Sequence, residues 1–191
     1  MRRKSNYKIN EIILNRWSAR SMSGEGLSDD ELMPLFEAAR WAPSSFNNQP
    51  WRFIYTKKNS EYWNKFFILL SEFNQQWCKN AAALILVISK NNFDHNNKPS
   101  ITHSFDTGAA CENLALEGHS KGLVVHIMQG FDYEKAKEVF EIFNNYKVEA
   151  MIAIGKKGNK ENLTENLKNK EVISDRKPLN QIVFKNIFNE R

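Results

Sequence analysis

The chain is poor in the residues that most often mark protein-borne chemistry. Two cysteines in 191 residues, Cys78 and Cys111, build neither a disulfide framework nor a metal-ligand spacing. Both are read as reduced, small core or surface residues. The four histidines, His95, His103, His119 and His126, are also at no metal spacing. No apolar run reaches the ~18 residues of a membrane span. The longest, Ala81 to Ile88, reads as a buried strand. No apolar signal region follows the basic start "MRRKSNYKIN". The expectation is a soluble, cytoplasmic protein without a membrane partner. There is no Gly-x-Gly-x-x-Gly, and "GKKGNKEN" lacks the Gly-Lys-Ser/Thr end of a phosphate loop. No nucleophile elbow occurs, and Ser44 and Ser45 have no evident base. Catalysis by a side-chain nucleophile or a metal is poorly supported. If the protein is an enzyme, something bound does the chemistry.

What is present suits one globular domain. Hydrophobic residues make up 41% of the chain, enough for a core, and aromatics 12%, more than a disordered chain carries. The net charge of +5 permits an anionic partner. The lysines are dispersed, however, with no helix-turn-helix pattern and no basic face, so nucleic acid is not expected as a partner.

Residues 11–20 read as a short helix running into a polar turn. Ser28-Asp29-Asp30-Glu31 is a capping-box pattern that opens a helix with Leu32, Leu35, Phe36 and Ala39 on one face. Pro43 disfavours helix at Ala42 and stops it near Trp41. "WRFIYT" reads as a strand, residues 60–79 as one aromatic-rich helix, and "AAALILVIS" as a strand with both faces buried. A second strong helix spans "ITHSFDTGAACENLALEGHSKGL". Its small residues Gly108, Ala109 and Ala110 imply close packing, and Gly122 ends it. "LVVHIM" reads as a strand. Asp132 caps the helix "YEKAKEVFEIF", and "EAMIAIG" is a further strand. From Lys156 the chain is polar until "PLNQIVF": either a tail that wraps a neighbour or a mobile terminus. Mixed helices and strands without strict alternation favour an α+β fold.

Two segments carry the chemistry. Arg16-Trp17-Ser18-Ala19-Arg20 puts two guanidiniums and a hydroxyl at alternate positions, which face the same way in an extended segment. Such a pair suits a phosphate or another anion; the plainer alternative is two solvated arginines at a helix end. "PSSFNNQPW" places hydroxyls and amides on a proline-bounded loop, as either a structural turn or a polar binding surface.

Together these segments resemble the nitroreductase family of FMN-dependent oxidoreductases. The resemblance rests on "RWSAR", "AARWAPSSFNNQPWRF", "DTGAACENLALEGHSKGL" with "IMQGFD", and "DRKPLNQIV", in family order along almost the whole chain. It implies an α+β sandwich with a mostly antiparallel sheet flanked by helices. It further implies an intertwined homodimer of single-domain chains (residues 1–191) holding two FMN at the interface, with 156–191 as an extension wrapping the partner. By position, the resemblance assigns Arg16 and Arg20 to the phosphate and the flavin's polar edge, and Ser18 to the phosphate or ribityl chain. Pro43, Ser44, Ser45 and Asn47 match the loop reaching the flavin from the other subunit, with Gln49 in contact or only bracing. Gln129 and Gly130 match the turn whose backbone N–H groups approach flavin N5 and O4. Arg176 matches a basic residue near the phosphate. A second is common two positions earlier, where this chain has Ser174. Asn74 matches a ring contact, and Phe73 lies either near the substrate opening or in the core. Trp77 stands either where many members have a lysine at the flavin's pyrimidine edge or, with the match off by a turn, in the core. The implied activity is hydride transfer from NADPH or NADH through FMN to a nitroaromatic, quinone or similar small acceptor, by a ping-pong mechanism. A flavin- or heme-binding regulator without turnover is the alternative on the same fold.

Overall fold

A computed structural model of the chain describes residues 3–188. Four strands, β1 (Trp51–Lys57), β2 (Ala83–Lys90), β3 (Leu123–Met128) and β4 (Tyr146–Lys156), form one sheet in the order β1-β2-β4-β3. All three pairings are antiparallel, with a register shift between Val87 and Ile88. The fold is therefore α+β, as expected. β2 is central, and every residue in it but Lys90 is buried, which is why its sequence shows no alternation.

Successive residues of β2 and β4 feed two separate cores. On one face, Ile85 and Val87 of β2 and Ile152 and Ile154 of β4 pack beneath two helices, α2 (Asp29–Arg40) and α5 (His103–Ser120). Leu32, Leu35 and Ala39 of α2 and Leu114 and Ala115 of α5 are fully buried there. Each buried leucine contributes about 1.5–3 kcal/mol. On the other face, Leu84, Leu86, Met151 and Ala153 pack against α3 (Trp63–Phe67), α4 (Glu72–Cys78) and α6 (Tyr133–Val139). The capping box of α2 forms as read, with Ser28 Oγ accepting from Glu31 N and Glu31 accepting from Ser28 N. A short α1 (Glu11–Asn15) buries no residue of its own.

Two expectations need correction. Residues 60–79 are not one helix. The chain breaks between α3 and α4, where Ser71 caps α4 and its N–H donates to Gly130 O at 2.9 Å. The serine side chain and a tertiary backbone bond together outweigh helical continuity. The close packing of α5 occurs not at Gly108, around which a Cβ would meet nothing, but at Gly118, where it would lie 2.4 Å from Val125 of β3. Gly122 does end α5, in the left-handed conformation (φ 74°).

The polar stretch after β4 is not a free tail at first. A turn at Lys160–Asn162 leads into α7 (Glu165–Lys170), and Leu163 and Leu167 join the second core. From Val172 the character changes: Val172, Leu179, Ile182, Val183, Ile187 and Phe188 are exposed. Of the 156–191 extension, the part up to Glu171 packs on its own chain, and residues 189–191 lie outside those described. Among the described residues no helix is long and apolar enough to cross a membrane.

Candidate functional site

The segment 16–22 is extended and locked on one side. Ser23 N donates to Lys156 O and Gly158 N to Ser21 O, so the segment lies against the chain leaving β4. The approach is close: a Cβ on Gly158 would sit 2.5 Å from the backbone of Met22. Glu171, itself buried, holds the same segment from another direction. Its carboxylate accepts from Arg20 N at 2.9 and 3.0 Å, from Ser21 N at 2.9 Å and from Ser21 Oγ at 2.7 Å. Ala19 and Ser21 are thereby turned inward, and Arg16, Ser18 and Arg20 line one cavity, as the alternation predicts, although Trp17 between them borders it too.

That cavity has a volume of about 490 Å³. Arg16, Ser18 and Arg20 form one wall, and Asn169, Lys170, Ser174 and Arg176 form another. Arg3 closes it from the N-terminal segment, and His126 borders it. Four guanidiniums and one ammonium thus converge where no carboxylate lines the wall. Glu112 lies outside, 3.4 Å from Arg16 Nε without hydrogen-bond geometry. The Nε atoms of Arg16 and Arg20 are buried and without a hydrogen-bond partner among the described residues. Buried donors in that state call for an acceptor, and this cluster suits a multiply charged anion such as a phosphate monoester. Arg20 keeps one internal bond, Nη1 to Lys170 O at 3.2 Å. Phe73 packs beside the site, with Lys170 Nζ 4.6 Å and Arg20 5.9 Å from its ring.

His126 is a satisfied core histidine. Its Nδ1–H donates to Ala19 O at 2.9 Å, and burial pushes its pKa down, so it adds no charge. Trp77 packs against it, ring centroids 4.5 Å apart and the planes tilted by 40°, and is fully buried. The position read as a possible lysine substitute is a core position. Asn74 lies on the same helix and is bonded within the chain. Its Nδ2 donates to Gly130 O at 2.9 Å and its Oδ1 accepts from Trp77 Nε1 at 3.2 Å. The amide thereby braces the turn after β3. Gly130 has no room for a side chain there, since a Cβ would meet Asn74 Nδ2 at 2.5 Å, while Gln129 beside it is exposed.

The loop 43–49 is elsewhere. Of Pro43, Ser44, Ser45, Asn47 and Gln49, none lines the arginine cavity. Ser45 N donates to Asp106 Oδ2 at 3.1 Å near the start of α5, and Ser44 Oγ accepts from Gln49 N at 3.0 Å. Gln49 Nε2 bonds Asn47 O, a bracing contact. Phe46, Asn47 and Gln49 are all in the left-handed region, at φ 53°, 53° and 49°. For Phe46 and Gln49 that is strained backbone held by its surroundings, a frequent mark of functional loops. Phe46 is exposed and packs only on Phe93 and His95 among aromatic partners.

Sequence reasoning assembled Arg16, Ser18, Arg20 and Arg176 correctly as neighbours but missed Arg3, Lys170 and Glu171. Nothing in the basic start or the polar tail singles these residues out. Only the apolar pair Leu163 and Leu167, four residues apart within the polar stretch, hints that this part of the tail is ordered.

Comparison with known proteins agrees with this architecture. The model of the nitroreductase family matches residues 13–67 and 61–156. A crystal structure of an FMN-containing oxidoreductase is 41% identical, with a TM-score of 0.95, covering 99% of this chain and 97% of that one. A nitroreductase family protein of Streptococcus pneumoniae TIGR4 shares the fold at 20% identity and TM-score 0.73, over 92% and 98% of the two chains. The oxygen-insensitive NADPH nitroreductase of Helicobacter pylori is 29% identical over 170 residues, 68% of this chain and 78% of the relative. The chain belongs to the nitroreductase family.

Proposed function

We propose that this chain is an FMN-dependent oxidoreductase that draws on NADPH or NADH and reduces a nitroaromatic, a quinone or a similar small acceptor. Donor and acceptor take turns at one surface. The observation that carries the reading is the cavity of four guanidiniums with no carboxylate on its wall. It fits the phosphate of FMN, the cofactor named for the 41%-identical relative. The NADPH named for the Helicobacter pylori relative supports the donor. When bound, FMN supplies the hydride chemistry.

The protein's own part is to bind, orient and exclude water. Arg16, Arg20 and Arg176 neutralise the phosphate, and Ser18 bonds it or the ribityl chain. Gln129 and Gly130 present backbone N–H groups on a turn braced by Asn74 and Ser71. The site is completed by a second copy of the chain in a homodimer, which brings Pro43, Ser44, Ser45 and Asn47. Two observations support that assembly: the strained loop lines nothing in its own chain's cavity, and the apolar residues after Val172 are exposed. No side-chain acid or base is assigned to the reaction.

The test is anaerobic titration of the purified protein with NADPH and NADH, followed by initial-rate kinetics over an acceptor screen. Bleaching of the bound flavin and parallel initial-rate lines are expected. A protein purified without flavin and unable to bind it overturns the reading. Bound flavin that neither nicotinamide bleaches points to a binding protein without turnover.

A further inference from the structure

Arg3 sits in the cavity wall in a way that a structural role alone does not explain. Its Nε donates to Ser174 O at 2.8 Å, and its Nη1 donates to Leu14 O at 3.0 Å and Arg16 O at 2.7 Å. One guanidinium thus ties together the N-terminal segment, the arginine segment and the C-terminal tail. Its plane is fixed by three carbonyls, and Nη2 has no hydrogen-bond partner among the described residues. Three carbonyls call for three N–H donors, which a guanidinium supplies and a neutral amide, with two, does not. That holds a full charge beside like charges: burial lowers the pKa of Arg3, and so do Arg176 and Arg16, with only Asp175 opposing them. Like charges gathered in a partly dehydrated site are destabilising without an anion between them. Arg16 and Arg20 line the same cavity, with Glu112 3.4 Å from Arg16 Nε on its outer side.

We propose that Arg3 is a phosphate-binding residue of this cavity, and that it sets the preference for a phosphate monoester over the same ligand without its phosphate. The proposal rests on the reading of the cavity as the FMN phosphate site. It also gives the N-terminal segment a function: phosphate binding draws together three stretches far apart in the sequence. Arg3 stands against Ser174, so the tail position that carries no charge is served by a cation from the opposite end of the chain.

The experiment compares the unsubstituted full-length chain with Arg3→Ala and Arg3→Gln. The glutamine variant keeps two amide donors and removes the charge, so it disturbs the three-carbonyl latch less than alanine does. Affinities for FMN and for riboflavin are measured by flavin fluorescence titration. In parallel, thermal midpoints are compared in inorganic phosphate and in chloride at matched ionic strength. Both variants should lose FMN affinity by about tenfold or more and keep riboflavin affinity within roughly twofold. The stabilisation by phosphate should shrink in both. Equal losses for the two flavins would make Arg3 a latch and overturn the proposal, as would no loss of either. Should the unsubstituted chain bind neither flavin, the FMN reading falls. Arg3 is then judged on phosphate alone: stabilisation reduced in Arg3→Gln upholds its role, whereas equal or absent stabilisation removes it.

Discussion

Replacing Glu171 tests how the arginine segment is held. One carboxylate oxygen, Oε1, accepts from Arg20 N, Ser21 N and Ser21 Oγ, while Oε2 accepts only from Arg20 N, which it shares with Oε1. Glu171 and Ser21 are both buried. Glu171→Ala leaves two backbone N–H groups and a hydroxyl without this acceptor. An unsatisfied buried donor costs about 1–3 kcal/mol, so the two N–H groups alone set a range of about 2–6 kcal/mol. Water entering from the adjacent cavity favours the lower half, about 3 kcal/mol. In a chain of this size each kcal/mol moves the thermal midpoint by about 2–4 °C, which gives a fall of about 6–12 °C. Glu171→Gln is milder, because its amide oxygen can take the place of Oε1 and serve all three donors. It loses the charge assistance and should cost about 1 kcal/mol, or about 2–4 °C. Differential scanning fluorimetry at fixed protein concentration reads both, and flavin titration reads the consequence for Arg20. Alanine should weaken FMN binding more than glutamine does. If glutamine costs as much as alanine, or alanine costs less than about 1 kcal/mol, the carboxylate does not hold the segment as argued.

Four further outcomes are expected. Arg20→Ala should lower FMN affinity at least about tenfold, and Arg176→Ala should act in the same direction, since a hydrogen bond to a charged partner contributes about 1.5–3 kcal/mol; unchanged flavin retention in both would remove the phosphate assignment. Light scattering on the flavin-loaded protein should give the mass of a dimer, covering the apolar residues exposed from Val172 onward; a flavin-bound monomer would defeat the shared site. Trp77→Lys should destabilise the fold by at least the about 3–5 kcal/mol of a buried Trp→Ala, leaving the flavin midpoint potential of surviving protein unchanged, because Trp77 is fully buried behind His126. A rise of about 30 mV without a fall in thermal midpoint would restore its place at the flavin edge. Finally, burial pushes the Cys111 thiol up to about 12 and the Cys78 thiol higher still, so the thiolate is scarce at neutral pH and below. The sign is that reactivity appears only as pH rises toward those values; rapid labelling of the native protein by a disulfide reagent at pH 7 would contradict it.

Local patterns in the sequence determined the elements whose causes are local. Ser28 and Glu31 three positions apart specify the start of α2, and the unbroken apolar run of β2 announces a strand buried on both faces. The alternation of Arg16, Ser18 and Arg20 in an extended segment accounts for all three reaching one cavity, though not for Trp17 bordering it as well. The dense polar loop 43–49 was also legible as unusual. Its left-handed residues were not, since they are held within a loop closed by contacts such as Gln49 N to Ser44 Oγ and Ser45 N to Asp106.

What the tertiary structure alone decided is who faces whom. Asn74 and Trp77 share a helix face whose direction depends on the break at Ser71, and that break depends on a bond to Gly130. Arg3 and Ser174 are 171 positions apart, and Arg20 and Glu171 are 151 apart. No periodicity spans such distances, and Arg3 and Lys170 carry no local signature because each alone would be a solvated side chain. The sheet and α7 bring these segments together; only then does a dispersed excess of positive charge converge on one cavity.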